Sequence, residues 1–245
     1  MNFSQTKADE IKYNKKLILH CIKQFGPISR AEICKRIQIS KPTVSTFVEE
    51  LIEEGWVIES SAGKTHNKSG RKPTYLHFNE QAYYALGVDI GGTKVLVAVS
   101  DLNGTILGEE RFDTAPFLER NFLKKLQTTV AHLLKKTGLK PSQIIGMGIG
   151  IPGITDSHSG VVIEAPSLGW QQYPLREKAA AYFDFPIHID NDVNVSALGE
   201  QWLGAAKKKE NVILIAIGTG VGSGLIIDGK LFRGANWGQA KSAIW

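Results

Sequence analysis

"ALGVDIGGTKVLVAVSDLNGTILGEE", residues 85–110, decides the fold. Apolar and small residues run through it in three stretches, broken at Gly91-Gly92 and at Asn103-Gly104. Alternation with period two argues strands, and Asn-Gly between two such runs is a strong hairpin signal. The segment therefore reads as three antiparallel strands. Glycines at the first turn let backbone N–H groups approach a phosphate without steric obstruction. Asp89 ends the first strand and suits the water shell of a magnesium ion, while Thr93 and Lys94 suit phosphate oxygens. On this motif alone, an ordinary tight hairpin explains the same residues.

Toward the C-terminus, Phe122, Leu126, Val130, Leu133 and Leu134 repeat at helical spacing. "IIGMGIGIPGI", residues 144–154, follows as a buried strand ending at Pro152-Gly153. Strand, helix, strand implies an α/β fold. "IDNDVNVSALGE", residues 189–200, sets Asp192 between Asn191 and Asn194 at a strand end. A second glycine cluster, Gly218, Gly220, Gly222 and Gly224, lies in "NVILIAIGTGVGSGLIIDGKLFRG". It lacks the G-x-G-x-x-G spacing of a dinucleotide site and the Gly-Lys-Ser/Thr of a Walker loop. Strand, glycine turn, strand is expected instead, as a second phosphate-cradling hairpin in a two-lobed nucleotide-binding fold.

Toward the N-terminus the pattern turns helical. Ile11, Ile18, Cys21, Ile22 and Phe25 share a face, which predicts a helix over 9–25, stopped by Gly26-Pro27. Ser29 and Glu32 form a capping box for a short second helix. Ser40 caps a third, in which Pro42 is tolerated in the first turn. Val44, Phe47, Val48, Leu51 and Ile52 give that helix an inward stripe. Lys41, Pro42, Thr43, Ser45 and Thr46 are left at its outer tip, with polar side chains suited to base edges and phosphates. Two short strands, 56–59 and 73–78, flank a basic loop with Lys68, Arg71 and Lys72. Three helices and a basic-tipped hairpin make a winged helix-turn-helix over residues 1–80, with a second domain over 84–245. A small helical bundle with a linker is the competing reading.

Composition agrees with that division. The net charge is +5, and residues 1–80 hold 13 basic against 9 acidic side chains, where residues 81–245 hold 16 against 15. The basic excess sits where a nucleic-acid-binding module would have it. The polar N-terminus has no apolar signal core and no apolar run is long enough to span a bilayer, so a cytoplasmic protein without a membrane partner is expected. Cys21 and Cys34 are too few for a disulfide framework or a zinc site, and no metal-ligating set is expected.

The words "GPISRAEICKRIQISKPTVS", "LIEEGWVIE" and "SGRKPTYL", then "DIGGTK", "GIGIPGITD", "APSLGW", "DNDVNVSALGE", "GTGVGSG" and "DGKLFRGAN", resemble the ROK family in order and spacing. That family unites sugar-responsive repressors with sugar kinases. The resemblance implies an actin/hexokinase-like, ribonuclease H-like fold of two α/β lobes behind the winged helix. It implies sugar binding by Gly153, Asn191 and Asp192, with Asp192 the general base if the chain is a kinase. It also implies phosphate contacts from Asp89, Gly91, Gly92, Thr93, Lys94, Thr219 and Gly220. Ser167 departs from the asparagine usual at its position, and Val193 from the usual alanine. After "RGAN" the pattern lapses. The Glu-Ile-Gly-His words of the sugar site, the cysteine-rich zinc motif and the adenosine-binding helices do not follow, and a shortened reading frame is the preferred explanation over a naturally short protein. The second lobe is then expected to expose sheet edges and core face.

The implied function is repression of sugar-utilisation genes, xylose metabolism among them, with an operator in double-stranded DNA and a small sugar inducer as partners. A homodimer would present two reading helices to a palindromic site. DNA binding needs no cofactor. An ATP-dependent sugar kinase, with ATP and magnesium, is the enzyme alternative, and an inactive remnant is the third. Catalysis by this chain is not expected, because a general base without its positioning partners loses most of its value.

Overall fold

The computed structural model describes residues 3–61, 74–115, 121–218 and 220–234. The chain divides into two compact units, Met1–Ala82 and Tyr83–Trp245.

The first unit runs α1 (Phe3–Phe25), α2 (Arg30–Ile37), α3 (Lys41–Glu53), β1 (Val57–Ser61) and β2 (Thr74–Phe78). Helix α1 starts six residues before the predicted position 9, because the polar stretch there contains no glycine or proline to stop it. Both halves of the Ser29/Glu32 capping box are made, and Gln38 closes α2 in the left-handed conformation with φ 54°. The Ser29 N–H and hydroxyl both donate to Glu32, which holds that carboxyl below its ordinary pKa. Ile18, Ile22, Ile33, Val44, Val48, Leu51 and Leu76 form the buried core. Strands β1 and β2 pair antiparallel from Val57↔Phe78 to Ser61↔Thr74, and Ile28 adds a bridge to Leu76. A third short stretch of sheet thus anchors the wing to the helices, as a winged helix-turn-helix requires.

The second unit opens with β3 (Tyr84–Ile90), β4 (Lys94–Asp101) and β5 (Ile106–Asp113), antiparallel with turns at the two expected places. Helix α4 (Phe122–Thr137) follows and buries Phe122, Leu126, Val130 and Leu133 against this sheet. Strand β6 (Ile144–Ile151) then runs parallel to β3. A small antiparallel sheet, β7 (Ile154–Asp156), β8 (Val161–Ala165) and β9 (Trp170–Tyr173), and a short helix α5 (Leu175–Ala180), lead to β10 (Ile187–Asn191). The main sheet has the order β10-β6-β3-β4-β5, with β10, β6 and β3 parallel.

Helix α6 (Asp192–Trp202) leads into a separate sheet of β11 (Val212–Ile217), β12 (Val221–Ile227) and β13 (Lys230–Phe232). Here one sequence expectation is corrected. Gly222 and Gly224 lie inside β12, not in a phosphate turn. A Cβ at Gly222 would stand 2.9 Å from the Val193 side chain, and one at Gly224 would stand 2.8 Å from Ala197 Cβ and from the Val193 carbonyl oxygen. These two glycines let α6 lie close on the sheet. Only Gly218 and Gly220 flank the β11–β12 turn, closed by the Gly218 N–H donating to the Gly220 carbonyl at 2.9 Å. The opposite face of this sheet is open: Ile213 is 70% exposed, Ile215 62% and Ile217 82%.

Candidate DNA-reading tip and sugar site

In the first unit the candidate reading surface is the start of α3. Ser40 caps it, its hydroxyl accepting from the Thr43 N–H at 3.4 Å and lying 2.8 Å from Thr43 Oγ1. The Thr46 hydroxyl donates back to the Pro42 carbonyl at 3.1 Å. Lys41, Pro42 and Thr46 are exposed, and Thr43 and Ser45 half-buried. Two of the predicted contact hydroxyls are thus engaged in holding the first turn. The helix N-terminus adds its own orphan amides and partial positive charge, which suit a phosphate. The inward stripe fixes the tip to the core, and Lys15 on α1 clamps the far end of α3, bonding Glu50 and Glu54 at 2.7 Å each. The wing residues Lys68, Arg71 and Lys72 lie outside the described residues.

In the second unit the parallel strands β3, β6 and β10 all finish at the same edge of the sheet. Open α/β sheets bind ligands outside the carboxyl ends of such strands. Register sets Asp89, Gly150 and Asp190 in one row across β3, β6 and β10. Just beyond that row lie the Gly91-Gly92 turn, Gly153, Asn191 and Asp192. The topology therefore brings the predicted sugar and first-turn phosphate residues to one end of one sheet. Gly220 belongs to the turn of the other sheet, and Thr219 lies outside the described residues.

Asn191 is the hub. Its Oδ1 caps α6, accepting from the N–H groups of Val193 at 3.1 Å and Asn194 at 3.3 Å. Its Nδ2 donates to the Gly153 carbonyl at 3.0 Å and to Asp192 Oδ1 at 2.8 Å. Asp192 opens the helix, where the macrodipole favours its charge. Gly153 has φ +105°, and a Cβ there would fall 2.1 Å from the Glu164 carbonyl oxygen, so only glycine fits.

The first glycine turn is braced from β5. Buried Thr114 donates its hydroxyl to the Gly91 carbonyl at 2.8 Å and its N–H to the Thr93 carbonyl at 2.9 Å. The Gly91 N–H donates to the Lys94 carbonyl at 2.9 Å and so belongs to the turn itself. Gly92 sits close over the departing residue Ser167, whose Cβ would be 3.3 Å from an added Cβ. Gly92, Thr93 and Lys94 are exposed. Asp89 is exposed to solvent, yet partial desolvation by the protein beside it raises its pKa.

The sequence reading passed over Asp190, Thr114 and Arg233, and set Asn194 beside Asp192 without giving it a role. Asp190 Oδ1 accepts from the Asn191 N–H at 2.8 Å and from Asn194 Nδ2 at 3.0 Å, while Oδ2 accepts from Arg233 Nε at 3.0 Å and Nη2 at 2.7 Å. Strand alternation could have flagged Asp190, since Ile187 and Ile189 point into the core and Asp190 to the other face. No spacing rule links it to Arg233, 43 residues away.

Among the described residues no helix is long and apolar enough to cross a membrane. The MarR family matches residues 12–61. The xylose repressor of Caldicellulosiruptor bescii is 39% identical over 223 residues, covering 91% of this chain and 55% of that protein. The crystal structure of a ROK family transcriptional regulator, homologous to the Escherichia coli MLC protein, superposes with a TM-score of 0.77 at 23% identity, over 91% of this chain and 56% of that one. A ROK family glucokinase from Streptomyces griseus, in complex with glucose and AMPPNP, gives 0.58 at 34% identity, over 64% of this chain and 49% of that one. The chain thus spans about half the length of these relatives. The ROK family itself matches residues 85–240, which is more than half of the chain, and with the site geometry above this places the chain in the ROK family.

Proposed function

We propose that the chain is a DNA-binding transcriptional repressor of sugar-utilisation genes, with a sugar inducer sensed by its ROK domain. The observation that carries this is the winged helix, with its capped and exposed α3 tip, preceding the ROK domain. Lys41 and the α3 N-terminus meet phosphates, while Ser45 and Thr46 reach base edges. The sugar hydroxyls meet Asp192 and the Gly153 loop, which Asn191 holds in place. DNA binding needs no cofactor. Sugar lowers operator affinity by binding the poorly reading conformation more tightly, and each tenfold change takes about 1.4 kcal/mol of differential affinity. A homodimer would set two α3 tips about 34 Å apart on a palindrome.

The test is selection of binding sites from random DNA by the purified chain, followed by fluorescence anisotropy against salt, D-xylose and D-glucose. Recovery of a palindromic operator, released by one of the sugars, is expected. Lys41→Ala weakens binding evenly across sequences and lowers the salt slope by about 1. Equal affinity for selected and random DNA overturns the reading.

A second reading, an ATP-dependent sugar kinase, is favoured by one observation: Asp192 and the exposed Thr93 and Lys94 lie at the same end of the main sheet. Thr93 and Lys94 suit the phosphates of ATP, which would supply the phosphoryl group, and Asp89 suits the water shell of magnesium. Asp192 would take the proton from the sugar hydroxyl. Phosphorylation of glucose that Asp192→Asn abolishes would establish it; under the repressor reading none is seen.

A further inference from the structure

We propose that Arg233, acting through Asp190, is a positioning residue for the candidate sugar site. The inference rests on the sugar-sensing reading of Asn191 and Asp192 and names the group that holds them. Asp190 is 8% exposed and spends both carboxylate oxygens. One faces the end of β10 and the first turn of α6, through the Asn191 N–H and the Asn194 side chain. The other takes two charge-assisted bonds from the guanidinium of Arg233, just past β13.

The arrangement has a physical necessity. A carboxylate this buried is costly unless paired. Without Arg233, Oδ2 of Asp190 loses both of its charge-assisted bonds in a buried place, and the carboxylate turns toward water and away from the Asn191 N–H. That bond fixes the backbone from which Asn191 caps α6 and holds Gly153 and Asp192. Arg233 touches neither Asn191 nor Asp192 in any of these bonds, so its effect passes through Asp190. Lysine offers a point charge in place of the two-pronged guanidinium and replaces it only in part. The strut also ties the sugar site to the β11–β13 sheet, because Arg233 leaves directly from β13.

The experiment uses the whole 245-residue chain. Amide hydrogen exchange is followed at Asn191, Val193 and Asn194, with α4 as internal reference. Arg233→Ala should speed exchange at these three amides at least tenfold while α4 is unchanged, and Arg233→Lys should fall between. Asp190→Asn should match Arg233→Ala, and the double variant should be no worse than either. Affinity for D-xylose and D-glucose is measured in parallel by calorimetry, and whichever sugar binds should bind at least tenfold more weakly to Arg233→Ala. Unchanged exchange, or additive effects in the double variant, overturns the proposal. Should Arg233→Ala fail to fold, Arg233→Lys and Asp190→Asn carry the same comparison. If the unaltered chain binds neither sugar, the sugar-sensing reading fails for these sugars, while the exchange result still decides the strut.

Discussion

Strands β4 and β11 are close in composition and opposite in fate. "KVLVAVSD" and "VILIAI" both carry apolar residues on both faces. In β4, Val95, Val97 and Val99 have no exposed surface, whereas in β11 Ile213, Ile215 and Ile217 are each more than half exposed. The difference lies in what covers them. Helix α4 lies across β4 and β5 with an unbroken apolar stripe, while α6 covers only the Leu214/Ala216 face of β11, through Gly222 and Gly224. An apolar strand is therefore evidence of a face that can be buried, and the partner element decides whether it is.

The comparison breaks most directly by cutting into each face. Leu126 on α4 is fully buried against the main sheet. Leu126→Ala should cost about 2–5 kcal/mol in urea unfolding of the chain, the range for a buried leucine whose cavity does not collapse. Ile215→Thr keeps the branched β-carbon that strands favour and should change stability by no more than about 0.5 kcal/mol. Equal losses would mean that the open face is covered in solution.

Glycines give a smaller version of the same contrast. Gly224 is pressed by α6, so Gly224→Ala forces helix and sheet apart and should cost about 1–3 kcal/mol. Gly87 in β3 has no atom within 4 Å of the position a Cβ would take. Gly87→Ala should be neutral or slightly stabilising, since alanine loses less backbone freedom on folding. A loss at Gly87 matching that at Gly224 would refute close packing as the reason for glycine in β12.

What was legible in the sequence follows the same line. The three strands of residues 85–110, the helix at Phe122 and the winged helix were readable because period, caps and turns are local. The capping box at Ser29 and the Asn191-Asp192 strand end were likewise visible. The split of the second glycine cluster was not, because Gly218 and Gly222 look alike until α6 is laid over one of them. Arg233 was invisible as a site residue for the same reason: its partner is set by the meeting of two sheets. The β7–β9 sheet was missed because its strands, of three to five residues, are too short to show a period.

The smallest effect sets a carboxylate at the end of the main sheet against one in a turn of the small sheet. Asp89, near the end of β3, has its pKa raised by partial desolvation. Asp156, the last residue of β7, accepts the Ser159 hydroxyl at 2.6 Å and the Ser159 and His158 N–H groups, which together lower its pKa. The two shifts have opposite consequences. The depressed group contributes stability that is complete above the unfolded value of 3.8 and is lost as pH falls through its folded pKa. For Asp89 the folded state holds its proton longer, so stability falls as pH rises from 3.8 through its folded pKa. Carboxyl-carbon NMR titration should place Asp89 above 3.8 and Asp156 below it. Ser159→Ala should move Asp156 back toward that value and leave Asp89 where it was. Two carboxyls titrating together would show that Asp89 is hydrated as freely as any surface group.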